Sequence, residues 1–394
     1  MKIKADQDLR VFSHNPGAAL LLPGTLIVVT VFPTKLEFRQ LDQSEFLLEI
    51  GLELEGEFKD FTVFQDLKKR LIEVQGFSKT GFFRYQLLIV EEGKDQKVIK
   101  FNLLKASQKN LILKLKKEKQ KVLVKNSVAL PLKSKTNLII ETPTFELLSL
   151  GMHKKLDFEL LKRRADLREL LPLWFRLGQI TPEKPFVPTG TLSLLKDLEK
   201  TVKNKQKNEA KALLSRIFKI GFKELFLPRI SDDQHQGILT GKSDKTDKKE
   251  SSVGSSSSLL LSYGAKLIRA LFFQEEKEKE QRLWKILPVS TFFAGRFINL
   301  KTELGILHIE WTKKLLKKMI LKADKSGQIK LSLQRELSTF RLRTSLQEKG
   351  RVFDKSDSLT IESGKCYFFD HFHLNNNYKH EPHLFGKPHH TYDI

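Results

Sequence analysis

Leu26-Ile27-Val28-Val29-Thr30-Val31-Phe32 is the stretch that decides the fold of this chain. It is rich in β-branched residues, whose stiff side chains fit a pleated strand better than a helix. A short run that is apolar on both faces is typical of a strand with neighbours on either side. Pro23 and Gly24 precede it and indicate a turn. The sequence therefore predicts a sheet with residues 26–32 as a central strand.

The residues around this strand alternate between apolar and polar side chains. Residues 46–54, 82–90 and 98–103 each follow the period of two, and polar turn residues separate the last two runs. Many short strands with turns at this spacing are typical of a β-sandwich. We expect residues 1–144 to form one.

The apolar spacing changes to that of helices between residues 145 and 230. Residues that recur at intervals of three, four or seven form one apolar stripe, namely Leu156, Leu160, Leu167, Leu171 and Trp174. Residues 231–258 are rich in Ser, Lys and Asp and are predicted to be a disordered linker. A further helix is predicted over 259–286.

The period of two returns at residue 287 and predicts a second antiparallel sandwich over 287–370. Residues 371–394 are predicted to be a flexible, His-rich tail. The fold class expected from these patterns is α+β, with two antiparallel β-sandwich regions flanking a helical middle segment.

The composition bounds the partners and the compartment. The 394 residues include 70 Lys and Arg against 47 Asp and Glu, a net charge of +23, which favours an anionic partner. A single cysteine, Cys366, excludes an internal disulfide and a zinc site made of cysteines. The N-terminal residues lack the apolar core of a signal peptide, and no apolar run is long enough to span a bilayer. A cytoplasmic location is therefore expected.

Three short motifs carry a family resemblance. They are Trp284-Lys285-Ile286-Leu287-Pro288, Gly295-Arg296-Phe297 and Gly305-Ile306-Leu307-His308-Ile309-Glu310-Trp311. Together they resemble the start of the C-terminal β-sandwich of α/α-barrel glycosidases of the alpha-L-fucosidase type. The resemblance implies a carbohydrate ligand and the order sandwich, helices, sandwich.

The chain departs from that class in its middle. A barrel of six helical hairpins needs about 300 residues at ordinary helix lengths, and only about 140 lie between the two strand regions. None of the catalytic carboxylates of the class can be placed on this sequence. The resemblance therefore implies a trimmed, non-catalytic relative.

A glycosidase needs two carboxyl groups, one on either side of the scissile bond, so acids that are close in sequence are candidate catalytic residues. Asp232, Asp233 and Glu224 are close in sequence at the end of the helical region. The alternative is that the two aspartates open the polar linker. Neither a phosphate-binding loop nor the motifs of zinc proteases and serine hydrolases occur.

Candidate ligand-binding residues lie in the second strand region. His308 and Glu310 share one side of a predicted strand, and Trp311 follows them. The alternative is that His308 and Glu310 lie on the solvent-facing side of the strand, opposite an apolar side.

The tail holds six of the ten histidines, but a metal site needs rigidly held ligands. Neither a metal nor a cofactor is predicted.

A candidate anion-binding surface lies between residues 100 and 135, which hold eleven lysines and one acid. Alternation with apolar residues places lysines on one side of a sheet, where they can contact phosphates as point charges. The candidates are Lys114, Lys116, Lys117, Lys119 and Lys121. The alternative is a solubilising face on an edge hairpin.

The sequence as a whole favours a non-catalytic, multi-domain binding protein whose partner is a carbohydrate, another protein or an anion. One alternative is a divergent glycoside hydrolase. The other is a basic protein that binds nucleic acid or an acidic membrane.

Overall fold

Strands dominate the chain in the computed structural model. It describes residues 2–4, 7–42, 46–92, 96–106, 111–115, 120–130, 145–152, 154–186, 188–232, 256–278 and 280–375. Two units are distinguished by their internal contacts. The first unit comprises Asp8–Pro143 and His153–Ile268, and the second comprises Met1–Gln7, Thr144–Met152 and Arg269–Ile394.

The first 150 residues contain thirteen strands in the described part, and all but the last belong to the first unit. They are β1 Arg10–Ser13, β2 Ala18–Leu21, β3 Ile27–Val31, β4 Lys35–Gln40, β5 Phe46–Leu52, β6 Lys59–Asp66, β7 Leu71–Ser78, β8 Gly81–Glu92, β9 Gln96–Lys105, β10 Leu111–Leu115, β11 Gln120–Val124, β12 Ser127–Leu130 and β13 Leu147–Ser149.

Two six-stranded antiparallel sheets make up the strand part of the first unit. The first sheet has the order β1-β6-β7-β8-β9-β12, and the second has the order β11-β10-β5-β4-β3-β2. The apolar run that predicted a central strand forms β3, which is buried along its whole length between β2 and β4. The prediction of a strand-rich chain with antiparallel sheets is confirmed.

The helices of the described chain follow β13. They are α1 Phe158–Arg164, α2 Leu167–Gln179, a short 3-10 helix Gly190–Leu192, α3 Ser193–Lys203, α4 Lys207–Gly221 and α5 Leu259–Phe272, with the two-residue strands β14 Phe222–Lys223 and β15 Leu227–Pro228 before α5. Asp157 and Asp166 cap the first two helices, because their carboxylates accept the backbone N–H groups of Leu160 and Arg168. None of the described helices has the length and apolar composition needed to cross a bilayer.

The helix predicted over 259–286 ends at Phe272, and a strand hairpin follows. The remaining strands are β16 Phe273–Glu278, β17 Gln281–Ile286, β18 Gly295–Thr302, β19 Gly305–Thr312, β20 Leu315–Ala323, β21 Gly327–Ser332, β22 Leu337–Arg343, β23 Arg351–Asp354, β24 Ser358–Ile361 and β25 Cys366–Leu374. Trp284 and Ile286 are buried at a spacing of two, and the indole N–H of Trp284 donates to Glu275 across the hairpin at 2.9 Å. These cross-strand contacts outweigh the helix propensity of the Glu- and Lys-rich segment.

Two sheets make up the second unit. The larger has the order β13-β18-β19-β20-β25-β22-β23, and the smaller has the order β16-β17-β21-β24. β17 and β21 pair in parallel, so the prediction of a purely antiparallel second region is wrong for this pair. Parallel pairing of these two strands is possible because no hairpin joins them: β18 to β20 lie between them in the chain.

Three predicted boundaries shift in the structure. β13 lies inside the predicted helical region and pairs with β18 of the second unit. The last residues of the predicted linker are described, and there the backbone N–H of Ser257 donates to the carboxylate of Asp42 at 3.1 Å. Residues 233–255 of that linker lie outside the described part. β25 extends four residues into the predicted tail, and residues 376–394 lie outside the described part.

Candidate functional site

The outer side of the first sheet carries polar side chains in register across adjacent strands. Phe64 on β6, Glu73 on β7, Gln86 on β8 and Asn102 on β9 are paired in one row. Because paired residues of antiparallel strands project to the same side, these side chains share one face. The opposite side buries residues such as Tyr85 in the core. We call this outer side the polar face.

A second row of the polar face runs beside the first. Gln75 on β7 is paired with Arg84 on β8, and Arg10 reaches the same face from β1. The side chains of Gln75 and Asn102 are half-buried and form no hydrogen bond with another described residue. Each amide can donate two hydrogen bonds and accept two, so this capacity is open to a ligand.

Glu73 is the charged centre of the polar face. Its side chain is only 4% exposed and accepts hydrogen bonds from Arg10 at 2.6 Å, Arg84 at 2.7 Å and the amide of Gln86 at 2.7 Å. Burial acts to raise the pKa of Glu73, but the hydrogen bonds from Gln86 and Arg84 and the two nearby positive charges outweigh it, so the pKa is lowered. Glu73 is therefore a charged anchor for three donors.

Glu73 is unsuited to be the proton donor of a glycosidase. The general acid of such an enzyme needs a raised pKa, so that it is protonated near neutral pH. The pKa of Glu73 is shifted in the opposite direction. The arrangement can hold a polar molecule by hydrogen bonding, but it does not supply acid catalysis through Glu73.

Aromatic rings lie at two ends of the polar face. Phe12 and Phe64 are 5.8 Å apart between ring centroids, and the guanidinium of Arg10 lies 3.9 Å above the ring of Phe64. At the other end, the rings of Phe77 and Phe82 are 5.2 Å apart. Phe77 is 45% exposed, which leaves an apolar surface beside Gln75, two residues away on the same strand. Apolar rings beside planar polar groups are the usual lining of a small-molecule or oligosaccharide site.

Two of the three predicted catalytic acids, Glu224 and Asp232, lie among the described residues. Glu224 accepts the backbone N–H of Ala19 at 3.2 Å and lies 3.8 Å from the ammonium of Lys223. Glu224 thus links the segment after β14 to β2 through a hydrogen bond. Asp232 is half-buried at the end of a described segment, and Asp233 lies outside the described residues.

The predicted ligand-binding residues of β19 divide between its two sides. Trp311 is 1% exposed and donates its indole N–H to the carbonyl of Phe292 at 3.1 Å, so it packs in the core. Glu310 lies on the other side and forms an ion pair with Arg296 at 3.1 Å. His308 shares that side with Glu310 and accepts the backbone N–H of Asn299 at 3.4 Å.

The predicted anion-binding lysines are described only in part. Lys114 and Lys121 both approach the carboxylate of Glu53, at 2.8 and 3.3 Å, so an acid of the same chain neutralises part of their charge. Lys116, Lys117 and Lys119 lie outside the described residues.

The histidines of the predicted tail are also described only in part. His371 and His373 lie on β25, with ring centroids 6.5 Å apart. In the described part of the chain, no three His, Cys, Asp or Glu side chains are close enough together to hold a metal ion.

Sequence reasoning missed the polar face, although one signal for it was present. Ser78 is the last residue of β7, and it pairs with Gly81, the first residue of β8. Counting the same number of residues away from this turn along each strand places Gln86 opposite Glu73. This register predicts the contact between Glu73 and Gln86. It does not predict the contact with Arg10, which lies on a separate strand of the same face. The full cluster depends on the order of the sheet.

The chain matches no protein-family model. The comparison with curated proteins likewise found no match. A function for this chain therefore has to be inferred from the geometry of the polar face.

Proposed function

We propose that this chain is a non-catalytic binding protein that holds a carbohydrate on the polar face. The observation that carries the proposal is two half-buried amides on this face, Gln75 and Asn102, whose side chains form no hydrogen bond with another described residue, together with the exposed ring of Phe77 on the same face. Sugar hydroxyl groups both donate and accept hydrogen bonds, as these amides do. The C–H side of a sugar ring is apolar and fits against an aromatic side chain.

The charge of the polar face favours an uncharged ligand. Glu73 is held between Arg10 and Arg84, so its carboxylate neutralises one of the two positive charges at the centre of the face. A polyanion would have to compete with the Glu73 carboxylate for the same guanidinium groups. A neutral oligosaccharide can bind the remaining donors and acceptors without displacing that carboxylate.

Two further inferences complete this proposal. We infer that the two sheets of the first unit form a sandwich, because the buried side of each is apolar and the amide of Gln65 on β6 donates to the carbonyl of Leu21 on β2 at 2.7 Å. The resemblance of the second unit to the alpha-L-fucosidase class stays a prediction, and it points to the same class of ligand. A cytoplasmic location is part of the proposal, on the ground of the single cysteine.

A glycan array followed by calorimetry on the best oligosaccharide tests the proposal. We expect Gln75→Ala and Asn102→Ala each to weaken binding about tenfold, which corresponds to one net hydrogen bond of about 1.4 kcal/mol. Gln347→Ala is the matched control, because Gln347 is an exposed amide of the second unit. A blank array, or affinities that neither variant changes, would contradict a carbohydrate site on this face. Binding of single-stranded RNA in place of glycans would contradict it equally.

A further inference from the structure

The connection between α3 and α4 forms a short, well-defined turn. Only residues 204–206 separate the two helices, and the backbone N–H groups of Asn204 and Gln206 donate to Lys200 and Thr201 at 2.9 and 3.0 Å. Lys205 adopts the left-handed conformation, with φ 57°. The turn therefore has a defined backbone path between the two helices.

Six exposed lysines surround this turn, and we call them the lysine band. They are Lys196, Lys200, Lys203, Lys205, Lys207 and Lys211. The first three lie at positions i, i+4 and i+7 of α3 and so form one stripe. The opposite side of α3 is buried through residues such as Leu195 and Leu198. The band is thus the solvent side of an amphipathic helix, continued around the turn.

Acidic side chains neutralise only part of the lysine band. Glu199 binds Lys203 at 2.8 Å, and Asp197 lies 3.9 Å from Lys200. Lys205, Lys207 and Lys211 form no ion pair with any described acid. This contrasts with Arg10 and Arg84, whose charges are shared with buried Glu73. The band is a concentrated positive surface on a rigid support.

We propose that the lysine band binds the phosphate backbone of double-stranded nucleic acid without reading its sequence. A duplex carries one negative charge for about every 1.7 Å of its axis, so several lysines can meet phosphates at once. Asn204, Gln206 and Asn208 stand exposed between the lysines and add neutral donors for phosphate oxygens. This site is separate from the carbohydrate-binding site proposed on the polar face.

The side chains around the band favour a duplex over a single strand or a membrane. Single strands are held by bases that stack on exposed aromatic rings, and the ring next to the band, Phe186, is already stacked on Tyr263 at 4.7 Å. Adsorption to a membrane is strengthened by apolar side chains that enter it. The most exposed large apolar side chains of the described chain all lie outside α3 and α4.

The test measures binding of the full chain to a fluorescein-labelled duplex DNA of mixed sequence between 50 and 200 mM salt. With six phosphate contacts, affinity should fall about 1,800-fold over this range, because log K changes by about −0.9 per contact for each unit of log salt. The triple variant Lys200→Gln/Lys207→Gln/Lys211→Gln keeps three contacts, so its affinity for the duplex should fall only about 40-fold over the same range of salt. Gln has nearly the same helix propensity as Lys, so α3 and α4 should persist, which circular dichroism checks.

The control variant removes the same charge elsewhere. Lys317→Gln/Lys325→Gln/Lys349→Gln changes three exposed lysines of the second unit that form no ion pair with any described residue, and it should bind the duplex with the wild-type salt dependence. Equal losses in the two triple variants would show that net charge alone drives binding and would overturn the proposal. Failure of the wild type to bind the duplex, or binding to vesicles containing phosphatidylserine but not to DNA, would also overturn it.

Discussion

Replacing Glu73 by Gln tests whether the cluster on the polar face stabilises the first unit. The carboxylate accepts hydrogen bonds from Arg10, Arg84 and Gln86 at 2.6 to 2.7 Å, and its side chain is 4% exposed. Glu73→Gln keeps the size of the side chain but leaves two guanidinium groups without their counter-charge. One donor–acceptor match is also lost, because an amide has a single oxygen to accept with.

The size of the effect follows from how far the partners can reach water. Removing one member of a fully buried ion pair costs about 3–5 kcal/mol. The side chains of Arg10 and Arg84 are 34% and 40% exposed, so water can replace part of the lost interaction. We therefore expect Glu73→Gln to lower the free energy of unfolding by about 2 kcal/mol. For a unit of this size that corresponds to a fall in Tm of about 4–8 °C.

Differential scanning calorimetry measures this shift, and Glu53 provides the matched control. Glu53 is also approached by two cations, Lys114 and Lys121, but all three side chains reach solvent. Glu53→Gln should leave Tm close to that of the wild type, because exposed ion pairs contribute little. A wild-type Tm for Glu73→Gln, or an equal fall for both variants, would refute the argument that burial makes the Glu73 cluster stabilising.

The same cluster predicts how stability depends on pH. The pKa of Glu73 is lowered from 4.5 in the folded chain, so the unfolded chain takes up the proton first as the pH falls. The stabilisation is therefore fully present above about pH 4.5 and is lost as the pH falls through the folded-state pKa. The difference in Tm between wild type and Glu73→Gln should stay constant from pH 6 to 8 and should shrink below about pH 4.5.

Two further predictions concern other parts of the chain. Burial lowers the pKa of His308, and the charge of Lys322 lowers it further. Lys322→Gln should therefore raise the pKa of His308 back towards 6.5, which an NMR titration of the imidazole ring measures. Because His308 resists protonation when folded, its contribution to stability should be lost as the pH falls below 6.5. In α2, a Cβ on Gly178 would lie 2.2 Å from the carbonyl oxygen of Leu261 on α5, so Gly178→Ala should destabilise the first unit by about 2–3 kcal/mol in urea unfolding. Gly51→Ala, whose Cβ meets its nearest neighbour at 3.5 Å, is the control, and equal midpoints for the two variants would contradict the close helix contact.

The strands were predictable where one residue pattern allows one structure. The run before Pro33 could not form an exposed element, because every position is apolar or β-branched, and it became the buried strand β3. The stretch from Leu307 to Trp311 alternates strictly between apolar and polar residues, and β19 buries the apolar ones. Local sequence was sufficient in both places because burial and alternation agree with β propensity.

The segment 273–286 was mispredicted because local propensity and tertiary contacts disagree there. Glu275, Glu276 and Lys277 favour a helix when taken alone. The segment instead pairs Glu275 with Trp284, and the buried ring of Trp284 lies 5.7 Å from that of Phe273. The strand β21, more than forty residues further along, pairs with β17 and completes this part of the sheet. Such a distant partner cannot be read from the segment itself.

The distribution of ion pairs explains why net charge alone does not locate a binding surface. The sequence drew attention to Lys114 and Lys121, yet these lysines share the carboxylate of Glu53. Lys205 and Lys207 lie in a less conspicuous stretch and pair with no described acid. A lysine that already pairs with an acid of the protein gains less from contact with a phosphate, so we expect the surplus of +23 to act mainly through residues of the second kind. The turn between α3 and α4 is therefore where a loss of charge should be felt most strongly.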